Sequence, residues 1–97
     1  MHFALYPPGA FYKRHLDAFK ERNARKISLI LYLNQDWQVT DGGQLRMYLP
    51  EQRLDISPLG GRLVCFRSEL IEHEVLPAKR DRLSITGWLT NKNPFVN

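Results

Sequence analysis

The run Ile27-Ser28-Leu29-Ile30-Leu31-Tyr32-Leu33-Asn34 sets the pattern for the whole chain. On an extended backbone its side chains alternate between two faces. Ile27, Leu29, Leu31 and Leu33 fall on one, and Ser28, Ile30, Tyr32 and Asn34 on the other. Both faces carry apolar bulk, which predicts a strand covered on both sides. Shorter runs of the same kind lie on either side of it. His2 to Tyr6 reads as a strand, and so does Ala10 to Asp17, with Phe11, His15 and Asp17 on one face unless a bulge intervenes. Further strands are expected at Gln44 to Leu49 (ended by Pro50), Leu54 to Ser57, Arg62 to Arg67 and Glu72 to Leu76. The last is Arg82 to Thr90, with Arg82, Ser84, Thr86 and Trp88 on one face. Turn chemistry separates these runs at Pro7-Pro8-Gly9, Gly42-Gly43, Pro58-Leu59-Gly60-Gly61 and Pro77 to Asp81. Ala18 to Lys26 is charged and has no clean period, so it reads as a loop. Asn91 to Asn97 reads as a polar tail. Seven or eight short strands with almost no helix predict an all-β antiparallel sandwich or jelly-roll-like barrel.

Composition narrows this picture only a little. The 97 residues suffice for one small domain, expected to span residues 1–97. Hydrophobic residues make up 43% and charged residues 25%, a globular balance. The net charge of +4 raises the question of nucleic acid. The basic residues are dispersed, however, apart from a modest cluster at Lys20 to Lys26, and there is no basic helix or zinc-finger spacing. A solvated charged loop is the fuller account of that cluster. No apolar run approaches the roughly 20 residues of a membrane helix, and the N-terminus lacks the pattern of a secretory leader. Cys65 is the sole cysteine, so no internal disulfide can form, and a cytoplasmic location is expected. Between Val64 and Phe66, Cys65 is expected to be a buried small hydrophobe.

The chemistry concentrates in a few positions. His15 and Asp17 are two residues apart, which on a strand points both to one face. A second histidine, His73, would complete a set of two imidazoles and one carboxylate. That set leaves three positions of an octahedron open, as in non-haem Fe(II) oxygenases. A hairpin reversing near Pro77 to Asp81 would return Arg82 toward His73, where it could hold an anionic co-substrate. The residues alone also admit plainer accounts. A His-x-Asp pair arises by chance, strand histidines are commonly hydrogen-bonded core or surface groups, and Tyr32 and Trp88 serve equally as core aromatics. Glu72 and Glu74 should face away from His73. Asp41 reads as a turn residue, and His2 has no assigned role.

Several blocks in order carry a resemblance: Tyr6-Pro7-Pro8-Gly9, Tyr12-Lys13-Arg14-His15-Leu16-Asp17, Leu31-Tyr32-Leu33-Asn34, Trp37, Asp41-Gly42-Gly43-Gln44-Leu45, His73-Glu74-Val75 and Arg82-Leu83-Ser84-Ile85-Thr86-Gly87-Trp88. From about Tyr6 to Thr90 the chain resembles the catalytic core of the Fe(II)- and 2-oxoglutarate-dependent dioxygenases. Within them it is most similar to the prolyl 4-hydroxylase-like branch that includes the oxygen-sensing hydroxylases. The resemblance implies a double-stranded β-helix. It implies Fe(II) on His15, Asp17 and His73, and 2-oxoglutarate held by Arg82 with a hydrogen bond from Tyr32. Ile30, Leu45, Thr86 and Trp88 would line the co-substrate pocket, and Tyr6 and Tyr12 would stand near the metal and the substrate entrance. O₂ would be the oxidant and ascorbate a supporting reductant.

The implied activity is hydroxylation of a prolyl residue in a protein or peptide, with release of succinate and CO₂. Two alternatives share the core: a hydroxylase of a free amino acid or other small molecule, and a catalytically idle β-barrel that binds a partner protein. The substrate-facing loop would be Ala18 to Lys26. The family usually places helices and a strand before the Tyr6 block. Without that support layer an apolar sheet face or strand edge would be uncovered, and self-association or a missing partner segment is expected.

Overall fold

The computed structural model describes residues 1–17 and 26–90. The expectations for the tail Asn91 to Asn97, and for the loop up to position 25, lie outside the described residues. Eight strands are present: β1 His2–Tyr6, β2 Tyr12–His15, β3 Lys26–Tyr32, β4 Leu45–Tyr48, β5 Arg53–Ile56, β6 Leu63–Arg67, β7 Glu72–Val75 and β8 Arg82–Thr90. The one helical element among the described residues is a 3-10 turn, Val39–Asp41. Lys26 belongs to β3 and not to the preceding loop.

The strands form two four-stranded sheets, in the orders β1-β8-β3-β6 and β2-β7-β4-β5, with every pairing antiparallel. Consecutive strands thus fall in different sheets at several points, as a jelly roll requires. We call the first the major sheet and the second the minor sheet. Their inner faces meet in a core of Tyr32, Leu45, Met47, Val64 and Phe66, with Ile30, Ile56, Ile71 and Val75 packed against it. Full burial of each large apolar side chain contributes roughly 1.5–3 kcal/mol.

Strand periodicity decides which residues reach the interior. On β3, Ser28 and Tyr32 are buried, and their register partners on β8, Trp88 and Ser84, point the same way. The opposite face of β3 differs from expectation. Ile27 and Leu33 are 37% exposed. Around them lie Phe3 and Leu5 on β1, Leu89 on β8 and Leu63 on β6, all more than half exposed. No described element covers this face, where Leu29 and Leu31 are only half-buried, and the buried residues of β3, Ser28 and Tyr32, are on its inner side. Cys65 faces outward here too. It is exposed and not buried, because Val64 and Phe66 on either side take the two inward positions of β6.

Strand β2 also departs from simple alternation. The register shifts between Tyr12, opposite Val75, and His15, opposite His73. That bulge lets Tyr12 and His15, three residues apart, both face inward. Phe11 precedes the strand and is 57% exposed. Asp17 lies two residues beyond the end of β2, held by its backbone N–H donating to the Ser68 carbonyl at 3.0 Å.

Part of the signature is structural. The Asn34 side chain is buried, donates to the Pro58 carbonyl at 2.9 Å and accepts from the Leu83 N–H at 2.7 Å. It thereby ties the end of β3 to β8. Trp37 donates its indole N–H to the Gly42 carbonyl at 2.9 Å and fixes the Gly42-Gly43 turn. Both glycines have positive φ. A Cβ at Gly42 would sit 2.6 Å from the Pro77 carbonyl oxygen, so no other residue fits without a shift.

Candidate metal centre and anion pocket

Between the sheets lies a cavity of ≈ 270 Å³. The minor sheet brings His15 on β2 and His73 on β7, directly opposite in register. Asp17 joins them from the segment after β2. Its Oδ1 lies 3.4 Å from His15 Nε2 and 3.5 Å from His73 Nε2. The three ligand atoms all lie within 4.8 Å of one another.

The hydrogen bonds fix which nitrogen is available. His15 Nδ1 is 2.6 Å from the Lys13 carbonyl and His73 Nδ1 is 2.8 Å from the Ile71 carbonyl. A carbonyl only accepts, so each Nδ1 carries a proton, and Nε2 is the nitrogen that each ring turns toward Asp17. Metal-binding histidines are commonly oriented in this way. Phe66 stands edge-on to the His73 ring at 4.8 Å and walls that side.

Charge states agree with this geometry. Burial pushes the His73 imidazole below its ordinary range, and the charges of His15 and Lys26 push the same way. The Ile71 carbonyl and Asp17 oppose them without reversing the shift. His73 is therefore neutral, as a ligand must be. Burial pushes the Asp17 carboxyl up. The Ser68 hydroxyl and the neighbouring Lys26, His73 and His15 outweigh it, and the group sits below the ordinary aspartate range. Two imidazoles and one carboxylate on one side of a cavity fit a divalent first-row metal with open positions.

At the other side of the cavity is Arg82, the first residue of β8, 3% exposed. Its Nε donates to the Gly43 carbonyl at 2.8 Å and one terminal nitrogen donates to the Tyr32 hydroxyl at 3.2 Å. A side chain at Gly43 would press on Arg82 Cδ at 3.2 Å, so the glycine turn makes room for this arginine. No carboxylate among the described residues forms an ion pair with it. A buried, unpaired guanidinium is costly, and an anion in the cavity would relieve that cost. Burial raises the Tyr32 phenol above its ordinary range against the pull of Arg82. The hydroxyl stays protonated, accepts from Arg82 and keeps its own proton to donate.

Ile30, Leu45, Thr86, Trp88, Tyr6 and Tyr12 all line this cavity. Tyr32 is fully buried and is not among the residues that line the cavity; its hydroxyl meets Arg82, which does line it. Glu72 and Glu74 turn away, Glu72 to Arg14 and Glu74 to the Tyr48 hydroxyl. The loop expected to face the substrate falls outside the described residues, apart from Lys26.

Sequence reasoning missed His2, Ser28, Phe66 and Ser84, which also line the cavity. His2 meets Trp88 edge-on at 5.3 Å. The signal was parity. Ser28 shares a strand face with Ile30 and Tyr32, Ser84 with Arg82 and Thr86, and His2 with Tyr6.

Comparison with known proteins agrees with this geometry. Residues 1–90 match the 2OG-Fe(II) oxygenase superfamily. The chain is similar to a hypoxia-inducible factor prolyl hydroxylase of Caenorhabditis elegans, 42% identical over 96 residues, covering 93% of this chain and 13% of that protein. A crystal structure of a Pseudomonas putida prolyl-4-hydroxylase superposes with a TM-score of 0.87 at 56% identity, covering 94% of this chain and 51% of that one. A Trichoplax adhaerens prolyl hydroxylase in complex with a hypoxia inducible factor oxygen degradation domain peptide fragment superposes with a TM-score of 0.80 at 39% identity, covering 89% and 40%. The chain thus spans about half of the P. putida chain and a smaller share of the others. It belongs to the 2OG-Fe(II) oxygenase superfamily, and its jelly roll is the fold of these neighbours.

Proposed function

We propose that the chain, as a member of this superfamily, is the catalytic core of an Fe(II)- and 2-oxoglutarate-dependent dioxygenase that hydroxylates a prolyl residue of a protein. One observation carries the reading. A His15–Asp17–His73 set and a buried Arg82 without a carboxylate partner occupy the two sides of one cavity. A metal alone would account for the first, and an anion alone for the second. A dianionic keto acid bridging the two accounts for both.

His15, Asp17 and His73 would hold the iron through Nε2, one carboxylate oxygen and Nε2. Bound there, the iron supplies activation of O₂ at the expense of 2-oxoglutarate, which leaves as succinate and CO₂ while the substrate gains a hydroxyl. The chain's own residues bind and orient. Arg82 grips the far carboxylate with a fork that never loses its charge. The Tyr32 hydroxyl donates to the same group. Ile30, Leu45 and Phe66 exclude water along the pocket, and Trp88, Tyr6 and Tyr12 border the mouth. The choice of prolyl protein over free amino acid follows from the named relatives. Ascorbate as supporting reductant, a cytoplasmic setting, one domain over residues 1–97 and self-association through the apolar outer face complete the proposal.

The test supplies Fe(II), 2-oxoglutarate and ascorbate under air, with proline-bearing peptides, and measures succinate and the mass of the peptide. A 16 Da gain on proline coupled to succinate is expected. Absence of both, together with no anaerobic visible band on mixing protein, Fe(II) and 2-oxoglutarate, would sink the reading.

A further inference from the structure

Asp17 uses its two carboxylate oxygens differently. Oδ1 faces the two histidine Nε2 atoms at 3.4 and 3.5 Å. Oδ2 faces the opposite way, toward the Ser28 hydroxyl at 3.3 Å and Lys26 Nζ at 3.5 Å. Behind Ser28 stands Ser68, with their hydroxyl oxygens 2.6 Å apart. Ser28 is 3% exposed and Ser68 is 0% exposed. Two adjoining hydroxyls carry two protons. One joins them, and the other is available to Asp17. The backbone closes the arrangement, since the Asp17 N–H donates to the Ser68 carbonyl at 3.0 Å and the Ser68 N–H donates to the Lys26 carbonyl at 3.1 Å.

The need for such a cradle follows from where Asp17 sits. The two histidines are fixed by paired strands and by bonded Nδ1 atoms. Asp17 lies past the end of β2, where no sheet ladder holds it, and its terminal torsion is broad and two-fold. An unrestrained carboxylate there could turn both oxygens to a metal. That would consume a position the co-substrate or O₂ requires.

We propose that Ser28 and Ser68, backed by Lys26, are positioning residues that hold Asp17 Oδ2 away from the metal and keep Asp17 a one-oxygen ligand. This rests on the metal-centre reading above. Serine suits the role because a hydroxyl donates without competing as a charged ligand, and it fits where Ser28 and Ser68 are packed.

The experiment titrates Co(II) anaerobically into the wild-type chain and into Ser28→Ala, Ser28→Thr and Ser68→Ala. It follows the visible ligand-field bands and the dissociation constant, with and without 2-oxoglutarate. Thermal melts of the metal-free proteins run alongside. Ser28→Ala is expected to weaken Co(II) binding by roughly 10-fold or more, the usual size for loss of an outer-shell partner. Its bands should shift, while Ser28→Thr, which keeps the hydroxyl, returns both toward wild type. Ser68 is fully enclosed, so Ser28 is the leading variant should Ser68→Ala not fold. Wild-type affinity and bands in Ser28→Ala overturn the proposal, whether or not its melting temperature falls. Equal losses in Ser28→Ala and Ser28→Thr overturn it as well, since the hydroxyl would not be the cause. A wild-type chain that binds no Co(II) overturns the metal-centre reading itself, and the cradle with it.

Discussion

The two sheets are built by the same alternation, yet their faces are used in opposite ways. The minor sheet presents His15 and His73, the proposed metal ligands, inward. Outward it presents charges that satisfy one another: Arg14 with Glu72, Tyr48 with Glu74, and Arg46 with Asp55. The Arg14 guanidinium also lies 3.6 Å over the Tyr48 ring. The major sheet presents Arg82 and Tyr32, the proposed anion clamp, inward. Outward it presents Phe3, Leu5, Ile27, Leu63 and Leu89. One sheet can therefore meet water on its back, and the other calls for a cover. The contrast also separates the chemistry. The proposed metal binding belongs to strands whose outer surface is self-sufficient. The proposed co-substrate binding belongs to strands whose outer surface is not.

The largest expected effect tests that inner division. His73→Ala should abolish Co(II) or Fe(II) binding, and with it the anaerobic band of the iron–2-oxoglutarate pair. Arg82→Ala should leave metal binding in place and raise the KM for 2-oxoglutarate. Removing a charge-assisted contact costs about 2 kcal/mol, or roughly 30-fold. Isothermal titration with the metal and then with 2-oxoglutarate separates the two. An Arg82→Ala protein that loses the metal as completely as His73→Ala would show that the two sides of the cavity are not independent.

Much of this was legible because strand parity is a strong signal where one face is buried. Arg82, Thr86 and Trp88 share a face in the sequence and share the cavity wall in the fold. The same rule failed in two kinds of place. At β2 the bulge between Tyr12 and His15 breaks parity, and nothing in Tyr12-Lys13-Arg14-His15 announces it. Asp17 then falls outside the strand, so its placement depends on Ser68, 51 positions later in the sequence. The second failure concerned cover. Leucine and isoleucine on both faces of β3 read as burial on both sides, but a side chain's type gives its preference and not its neighbours. Cys65 was misread for the same reason: it is a small apolar residue on the outward step of β6. His2, Ser28 and Ser84 went unnoticed because small or solitary polar residues carry no motif, although parity placed each of them inward.

The next effect concerns the uncovered outer face. We expect the wild-type chain to self-associate with rising concentration, as large exposed apolar patches favour. Leu5→Lys combined with Leu63→Lys puts charge on β1 and β6, the two edge strands of the major sheet. Both positions are more than half exposed, so each substitution should change folding stability by no more than about 0.5 kcal/mol. Sedimentation velocity across a concentration series should show the wild-type mass rising and the double variant staying monomeric. A wild-type chain that remains a monodisperse monomer throughout would show that the apolar face does not drive association, and the contrast between the two backs would lose its consequence in solution.

The smallest effect comes from the opposite back. Arg46 meets Asp55 through two parallel contacts, Nε to Oδ1 at 2.8 Å and a terminal nitrogen to Oδ2 at 3.0 Å. The hydrogen bonds from Arg46 lower the Asp55 carboxyl below its ordinary range. Slight burial opposes this, and the charges of Arg46 and Arg53 add to it. A carboxyl depressed in the folded state favours folding when ionised. That contribution is whole above the unfolded value, about 3.9, and is lost as pH falls through the lower folded value. The pair faces solvent, where side-chain entropy and screening leave such bridges worth about 0.2–1 kcal/mol. Asp55→Asn should therefore cost less than about 1 kcal/mol at pH 7 in urea unfolding. The gap from wild type should narrow as pH drops below about 4 and should shrink in high salt. A gap that stays constant with pH would mean that Asp55 acts through packing and not through its charge. A cost well above 1 kcal/mol would mean that this back is not a solvated surface but an interface in its own right, and the two sheets would then differ less than their side chains imply.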